Sequence, residues 1–251
     1  MQLDGKIALI TGGSSGIGRE TAVLFAQHGA SLAIADLNPD GGQDTVQLIR
    51  EAGGTAVFIQ TDVAQAAQVE NMVNEVMREY GRLDIAFNNA GIEGAPVRTM
   101  DVTEAEFDQI LAVNAKGVWL CLKYEIQQML RQGSGSIINT ASVAGLIGAH
   151  SMSAYAASKH AVVGLTRTAA VEYARKGIRI NAVCPAIIRT AMVERAIAQL
   201  PQLEHGAIQN NPSRRLGNPN EVAQAVLWLA SDASSFTTGA TLTVDGGLTA
   251  Q

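Results

Sequence analysis

The stretch Thr11-Gly12-Gly13-Ser14-Ser15-Gly16-Ile17-Gly18 constrains the fold most, because it joins an apolar run to an amphipathic one. Lys6 to Ile10 is short, apolar and partly β-branched, the pattern of a buried parallel strand. From Ile17 the apolar positions Ile17, Ala22, Leu24, Phe25 and Ala26 fit a helix that stops at Gly29. Glycines at such a junction let the backbone turn tightly and approach a phosphate, and the helix N-terminus offers it free N–H groups and a partial positive charge. Glycine-rich turns also join strands to helices with no ligand, so the pattern alone is weak. It is strengthened by a second strand, Ser31 to Ala35, which ends on Asp36 where a dinucleotide fold places its ribose-binding acid. A dinucleotide site is therefore favoured over an empty turn.

Length admits one large domain or two small ones: the chain has 251 residues, 47% of them hydrophobic and 16% charged, which excludes a disordered chain. Mean hydropathy is a modest +0.12, and no apolar run approaches membrane-spanning length. A net charge of -5 with no clustered basic stripe argues against a nucleic-acid partner. The N-terminal Met1 to Gly5 lacks the basic-then-apolar pattern of a signal peptide, so a cytoplasmic protein is expected. Cys121 and Cys184 sit in apolar runs and read as small core residues. His28, His150, His160 and His205 are scattered, and no metal site is expected.

Along the chain, strand and helix patterns alternate. A helix over 41–52 precedes a third strand (55–59), and Asp62 at the end of that strand is placed to cap a helix from Gln65 to Tyr80, to contact adenine, or both. A fourth strand (85–87) runs into Asn88-Asn89-Ala90-Gly91, a fifth spans 136–142, and a sixth (178–184) leads to Pro185. A helix over 220–231 and a last strand, Thr241 to Val244, complete the series. Short connections between such elements imply right-handed crossovers and a parallel sheet covered on both faces, an α/β doubly wound sheet of about seven strands. Ligands of such sheets bind beyond the C-terminal strand ends, where these glycine and polar clusters fall. No linker or repeat marks a boundary, so residues 1–251 are expected to form one domain. Residues 190–213 are the one long, poorly patterned segment, with Met192, Ala196, Ile197 and Leu200 as an apolar helical face, and fit a substrate lid.

Three positions carry possible chemistry. Asn114 lies on the apolar stripe of a long helix (103–131) with Phe107, Leu111, Val118 and Cys121; from spacing alone a packing amide at a bend near Gly117 is favoured. Ser142 ends the fifth strand. Tyr155 and Lys159 are spaced i, i+4 on one helix face, where an ammonium can lower the pKa of a phenol; a Tyr stacked on a Lys stem is the plain alternative, and the position at the strand mouths favours function.

Together, Thr11-Gly-x-x-x-Gly16-Ile17-Gly18, Asp62-Val63, Asn88-Asn89-Ala90-Gly91, Asn114, Ser142, Tyr155-x-x-x-Lys159 and Thr237-Thr238-Gly239 resemble the short-chain dehydrogenase/reductases over nearly the whole chain. The resemblance implies a three-layer Rossmann fold, commonly a homotetramer, that moves hydride between a nicotinamide and an alcohol or ketone. It implies that Tyr155 is the acid–base, that Ser142 bonds the substrate oxygen, and that Lys159 lowers the Tyr155 pKa and holds the nicotinamide ribose. It turns Asn114 from a packing amide into a catalytic residue that positions a water beside Lys159. Cofactor contacts are expected at Gly12, Ser14, Ser15, Gly16, Ile17, Gly18, Asp36, Leu37, Asp62, Val63, Asn89, Ala90, Gly91, Tyr155, Lys159, Pro185, Ile188 and Thr190, the last two at the carboxamide. Ala186 stands where the family usually has glycine, which puts the cofactor's pose there in doubt. Asp36 predicts NAD rather than NADP, with Arg19 able to offset part of the repulsion of a 2′-phosphate. Substrate contacts are expected at Glu93, Val97, Val143, Ala144, His150, Met192 and Ile197, mostly apolar, for an alcohol or ketone with a hydrophobic substituent. The rivals are an NADPH-dependent 3-ketoacyl-carrier reductase, which would want basic residues near the adenosine ribose, and an inactive scaffold member.

Overall fold

The computed structural model describes residues 2–199 and 202–251, apart from the side chains of residues 192, 196, 199 and 203. Seven strands run β1 (Ile7–Thr11), β2 (Ser31–Asp36), β3 (Thr55–Gln60), β4 (Ile85–Asn88), β5 (Gly135–Thr140), β6 (Ile178–Pro185) and β7 (Thr241–Val244). Every neighbouring pair is parallel, in the order β3-β2-β1-β4-β5-β6-β7. The chain reverses its winding between β1 and β4, and at such a point a doubly wound sheet opens a crevice for ligand.

The helices are α1 (Gly16–Gln27), α2 (Pro39–Glu51), α3 (Ala66–Tyr80), α4 (Glu104–Leu111), α5 (Val118–Gln132), α6 (Ser153–Tyr173), α7 (Ala191–Gln199), α8 (Gln202–Asn210) and α9 (Pro219–Ala230). Successive strand residues point to opposite faces, so Leu9 packs with Val69, Met72 and Val162 of α3 and α6, while Ile10 packs with Phe25, Ile49 and Val222 of α1, α2 and α9. Two covered faces explain why the strands read as continuous apolar runs instead of alternating ones. Phe25 is fully buried, and Phe25→Ala would cost roughly 3–5 kcal/mol through lost burial and the cavity left behind.

Local structure departs from the sequence reading in several places. The helix expected over 103–131 is interrupted: between α4 and α5 the residues Ala112–Gly117 form a π-helical turn with Asn114 inside it. Asp62 does not cap α3. Its Oδ1 accepts the Ala64 N–H (2.9 Å) in a tight turn ahead of the helix, and Gln65, the residue at the cap position, makes no side-chain cap bond. The reciprocal partner is Gln68, whose Oε1 accepts the Asp62 N–H at 2.8 Å. The fifth strand ends at Thr140, and Ser142 instead caps a 3₁₀ turn, Val143–Gly145. Within 190–213 lie the two short helices α7 and α8, and Leu200 falls outside the described residues. Among the described residues no helix is long and apolar enough to cross a membrane, and no cluster of His, Cys, Asp or Glu could hold a metal.

Candidate active site

The C-terminal strand ends open into a cavity of about 640 Å³. Apart from Gly18, each residue expected to contact cofactor lines it. Gly12 takes φ +65°, and a Cβ there would sit 2.8 Å from Ala90 Cα. A Cβ on Gly18 would sit 2.1 Å from the Gly12 carbonyl oxygen, so Gly18 serves the packing of α1 under the turn. Ser15 stands at the N-cap of α1 without a side-chain bond, so the helix's first N–H groups face the crevice uncapped. A turn packed this closely against its neighbours, with uncapped N–H donors at the start of α1, fits a diphosphate.

At one end of the cavity Asp36 is held in place: its Oδ2 accepts the Ser14 N–H (3.0 Å) and its Oδ1 the Asn38 N–H (2.9 Å). Arg19 is committed beneath the loop. Its guanidinium donates to the carbonyls of Ser14 (2.5 Å) and Gly41 (3.0 Å) and to Thr45 Oγ1 (3.0 Å). Neighbouring Leu37 is exposed, and Asp62 and Val63 line the same end. No lysine or arginine lines this end among the described residues.

At the other end Ser142, Tyr155 and Lys159 converge. Ser142 is buried, in extended conformation, with its Oγ accepting the Ala144 N–H (3.1 Å) and donating to the Pro185 carbonyl (3.5 Å), and it stands close enough to the Tyr155 phenol to lower its pKa. Lys159 is buried one turn further along α6; its Nζ donates to the Thr140 carbonyl (2.8 Å) and lies 5.6 Å from the Tyr155 ring centre. Gly145 allows this closeness, since a Cβ there would meet the Lys159 carbonyl at 2.7 Å. Burial pushes the Tyr155 pKa up to about 12, against the pull of the Ser142 hydroxyl, with Glu93 adding to the rise. Burial likewise brings Lys159 down to about 8, opposed by Cys184 and Glu93. Desolvation is the largest influence on both groups, and the Lys159 ammonium donates to the Thr140 carbonyl.

Asn114 is fully buried and does not line the cavity. Both ends of its amide bind the Ile92 backbone, and Nδ2 also donates to Ser158 Oγ (3.1 Å). All of these bonds are to the fold, as the packing reading expects, and Gly91 sets the amide beside Lys159, as the family reading expects: a Cβ on Gly91 would touch both Asn114 Oδ1 (3.2 Å) and Lys159 Nζ (3.5 Å).

Of the expected substrate residues, Glu93, Val143 and Ala144 line the cavity. Val97, His150 and Ile197 do not: Val97 pairs with Met152, and His150 is exposed, its Nδ1 bonded to Ser151 Oγ at 3.0 Å. The Met192 side chain lies outside the described residues. Sequence reasoning missed Ile92, Val113, Ile147, Met152, Val193 and Leu248, which line the cavity. Leu248 arrives because Asp245 Oδ2 accepts both the N–H (2.9 Å) and the hydroxyl (2.7 Å) of Thr249, an Asp–Gly–Gly turn that could have signalled it. Ala186 has no left-handed φ and donates its N–H to the Val244 carbonyl (3.2 Å), so the backbone there does not need glycine's conformational freedom.

A crossover crevice built for a dinucleotide, with a phenol, a hydroxyl and an ammonium at one end, defines a nicotinamide-dependent oxidoreductase of the Rossmann type. Comparison with known proteins agrees. A family model described as enoyl-(acyl carrier protein) reductase matches residues 12–249. A 2,5-dichloro-2,5-cyclohexadiene-1,4-diol dehydrogenase of Sphingobium indicum is 44% identical over 249 residues, covering 99% of this chain and 98% of its own. Levodione reductase of Leifsonia aquatica is 45% identical over 252 residues, covering 98% of this chain and 94% of its own. A crystal structure of levodione reductase superposes with a TM-score of 0.95 at 44% identity, covering 99% of both chains. NAD+-bound xylitol dehydrogenase superposes at 0.94 with 34% identity, covering 98% of this chain and 100% of the other. The chain belongs to the short-chain dehydrogenase/reductase family.

Proposed function

We propose that this protein is an NAD-dependent dehydrogenase/reductase that interconverts a secondary alcohol carrying a hydrophobic substituent and its ketone. The observation that carries the reading is the Ser142–Tyr155–Lys159 convergence at the apolar end of the cavity. When bound, NAD supplies a cationic ring that accepts the carbinol hydride. Tyr155 takes the hydroxyl proton during oxidation and returns it during reduction. Ser142 Oγ donates to the substrate oxygen as charge develops there. Lys159 holds positive charge beside the phenol and ribose. Asn114 holds the wall of the site, through Ile92 on one side and Ser158 of α6 on the other.

Preference for NAD rests on Asp36, fixed by two backbone N–H groups, and on the engagement of Arg19 elsewhere. A 2′-phosphate would meet a carboxylate with no lysine or arginine lining that end of the cavity among the described residues. The same arrangement argues against an NADPH-dependent carrier reductase. The relatives named for a ring diol and for levodione, and the NAD+-bound neighbour, support the reading from outside. Helices α7 and α8 serve as a lid, tied to one base by Arg189, which pairs with Glu194 (2.6 Å) and Glu204. The decisive experiment follows reduced nicotinamide as purified protein meets aryl and alkyl secondary alcohols, hydroxysteroids and free sugars. Oxidation of apolar secondary alcohols is expected, whereas efficient glucose oxidation with none of the apolar alcohols turned over would refute the proposal.

A further inference from the structure

The loop after β4 is pinned on both sides of one carboxylate. Asn114 holds Ile92 by its N–H and its C=O, both at 2.8 Å; Glu106 Oε1 accepts the Ala95 N–H at 2.8 Å; and Val97 pairs with Met152 across the cavity mouth. Between these anchors Glu93 lines the cavity, and its charge acts on both Tyr155 and Lys159. Glu93 is exposed at the cavity rim; partial burial of its carboxyl raises the pKa and the Lys159 ammonium pulls it back. Its neighbours at this end of the cavity are Ile92, Val113, Val143, Ile147, Met152 and Val193. Beyond Tyr155 and Lys159, Glu93 is the one ionisable side chain at this end among the described residues.

We propose that the Glu93 carboxylate accepts a hydrogen bond from a second hydroxyl of the substrate, so that the enzyme selects diols and hydroxyketones over simple alcohols. The inference rests on the alcohol dehydrogenase reading above. The reacting oxygen is taken by Ser142 and Tyr155, so a monofunctional alcohol offers Glu93 no donor and leaves its carboxylate to water at the cavity rim. A hydroxyl elsewhere on the ring supplies a donor that the carboxylate can hold. Sites that hold a substrate hydroxyl with a charged group discriminate strongly against analogues lacking it.

The test uses the full chain with saturating NAD and compares cyclohexanol with its isomeric ring diols, in wild type, Glu93→Gln and Glu93→Ala. Thermal unfolding and NAD binding by fluorescence establish that each variant is folded and loaded. In wild type at least one diol should have the higher kcat/KM. Glu93→Ala should lower the ratio of diol to cyclohexanol kcat/KM by about tenfold or more. Glu93→Gln, which keeps one carbonyl acceptor, should lower it less. A ratio that moves by less than about twofold for every diol overturns the inference. Equal losses on both substrates overturn it too, by assigning Glu93 to Tyr155 and Lys159 instead of to substrate. If wild type oxidises cyclohexanol but Glu93→Ala leaves the ratio unchanged, only this inference fails; if wild type oxidises neither cyclohexanol, nor any ring diol, nor any other alcohol of the panel above, the dehydrogenase reading fails and takes it along.

Discussion

Asn114 grips Ile92 by both of its backbone groups: Oδ1 accepts the Ile92 N–H and Nδ2 donates to the Ile92 carbonyl, each at 2.8 Å. The same Nδ2 donates to Ser158 Oγ, and Ser158 in turn donates to the Tyr155 carbonyl (2.7 Å). One amide thereby ties the loop after β4 to the helix that carries Tyr155 and Lys159. The π turn at 112–117 sets Asn114 within a widened stretch of the α4–α5 backbone.

Replacing Asn114 by alanine should therefore loosen two walls at once. The Ile92 N–H and C=O would lose their partners in a largely enclosed place, a cost of about 2–4 kcal/mol. Denaturant unfolding should show that loss, with turnover reduced in parallel. Unfolding curves that coincide with wild type would mean that water replaces the amide freely.

Cofactor preference turns on Asp36. Titration by intrinsic fluorescence should show NAD binding at least about tenfold tighter than NADP, since the 2′-phosphate meets an oriented carboxylate. Asp36→Ala combined with Leu37→Arg should bring the two affinities together or reverse them. Tighter NADP binding by the unaltered protein would overturn the assignment.

Tyr155→Phe removes the one ionisable oxygen and nothing else of size. Turnover should fall by roughly 10²–10⁴-fold while NAD affinity stays close to wild type. Lys159→Ala should damage both. Substantial turnover by Tyr155→Phe would show that another group moves the proton.

The sheet was legible because its strands are covered on both faces, which makes runs such as Ile7–Thr11 apolar throughout, and because glycines and polar clusters end them. The site's outline was legible for the same reason: ligand groups gather at strand ends. What stayed hidden depends on geometry that spacing does not encode. The π turn around Asn114 shares its residue types with an ordinary helix, and a buried Glu125 on α5 looks like any surface glutamate. The balance of burial against charge at Tyr155 needs coordinates, since the i, i+4 spacing shows the ammonium but not the desolvation. Val97 and His150 were placed in the pocket by proximity in sequence to residues that do line it, and local pairing turned them away.

Assembly is open to direct measurement. Trp119 on α5 and Val171 on α6 are 46% and 84% exposed, apolar surface on the two helices that a two-fold interface would use. Light scattering at micromolar protein should give about four times the 26.3 kDa chain mass. A mass near that of one chain would contradict the tetramer.

The buried Glu125 makes the stability of this protein depend on pH in a definite direction. Its Oε2 accepts from Asn88 Nδ2 (2.9 Å), which also donates to Asn139 Oδ1 (3.0 Å), and Asn139 Nδ2 continues to Thr166 Oγ1 (2.9 Å). Glu125 Oε1 and Asn88 Oδ1 have no partner among the described residues. Burial raises the Glu125 pKa from 4.5 to about 7, with the Asn88 hydrogen bond opposing. Between those values the folded protein holds a proton that the unfolded chain has released. The contribution is fully present below about pH 4.5 and is lost as pH rises through about 7, so stability falls with pH across that window. The Arg215-paired Glu221, lowered from 4.5 to about 2, acts in the opposite sense at lower pH and does not overlap. Glu125→Gln removes the titrating group while keeping an acceptor for Asn88. Relative to wild type, the variant should gain stability between pH 5 and pH 8, by up to about 3 kcal/mol on the scale of one pKa unit per 1.4 kcal/mol. Denaturant unfolding of both proteins at the two pH values measures this difference directly. Parallel changes in the two proteins would mean that Glu125 is ionised in the folded protein throughout this range, its carboxylate stabilised by something other than Asn88.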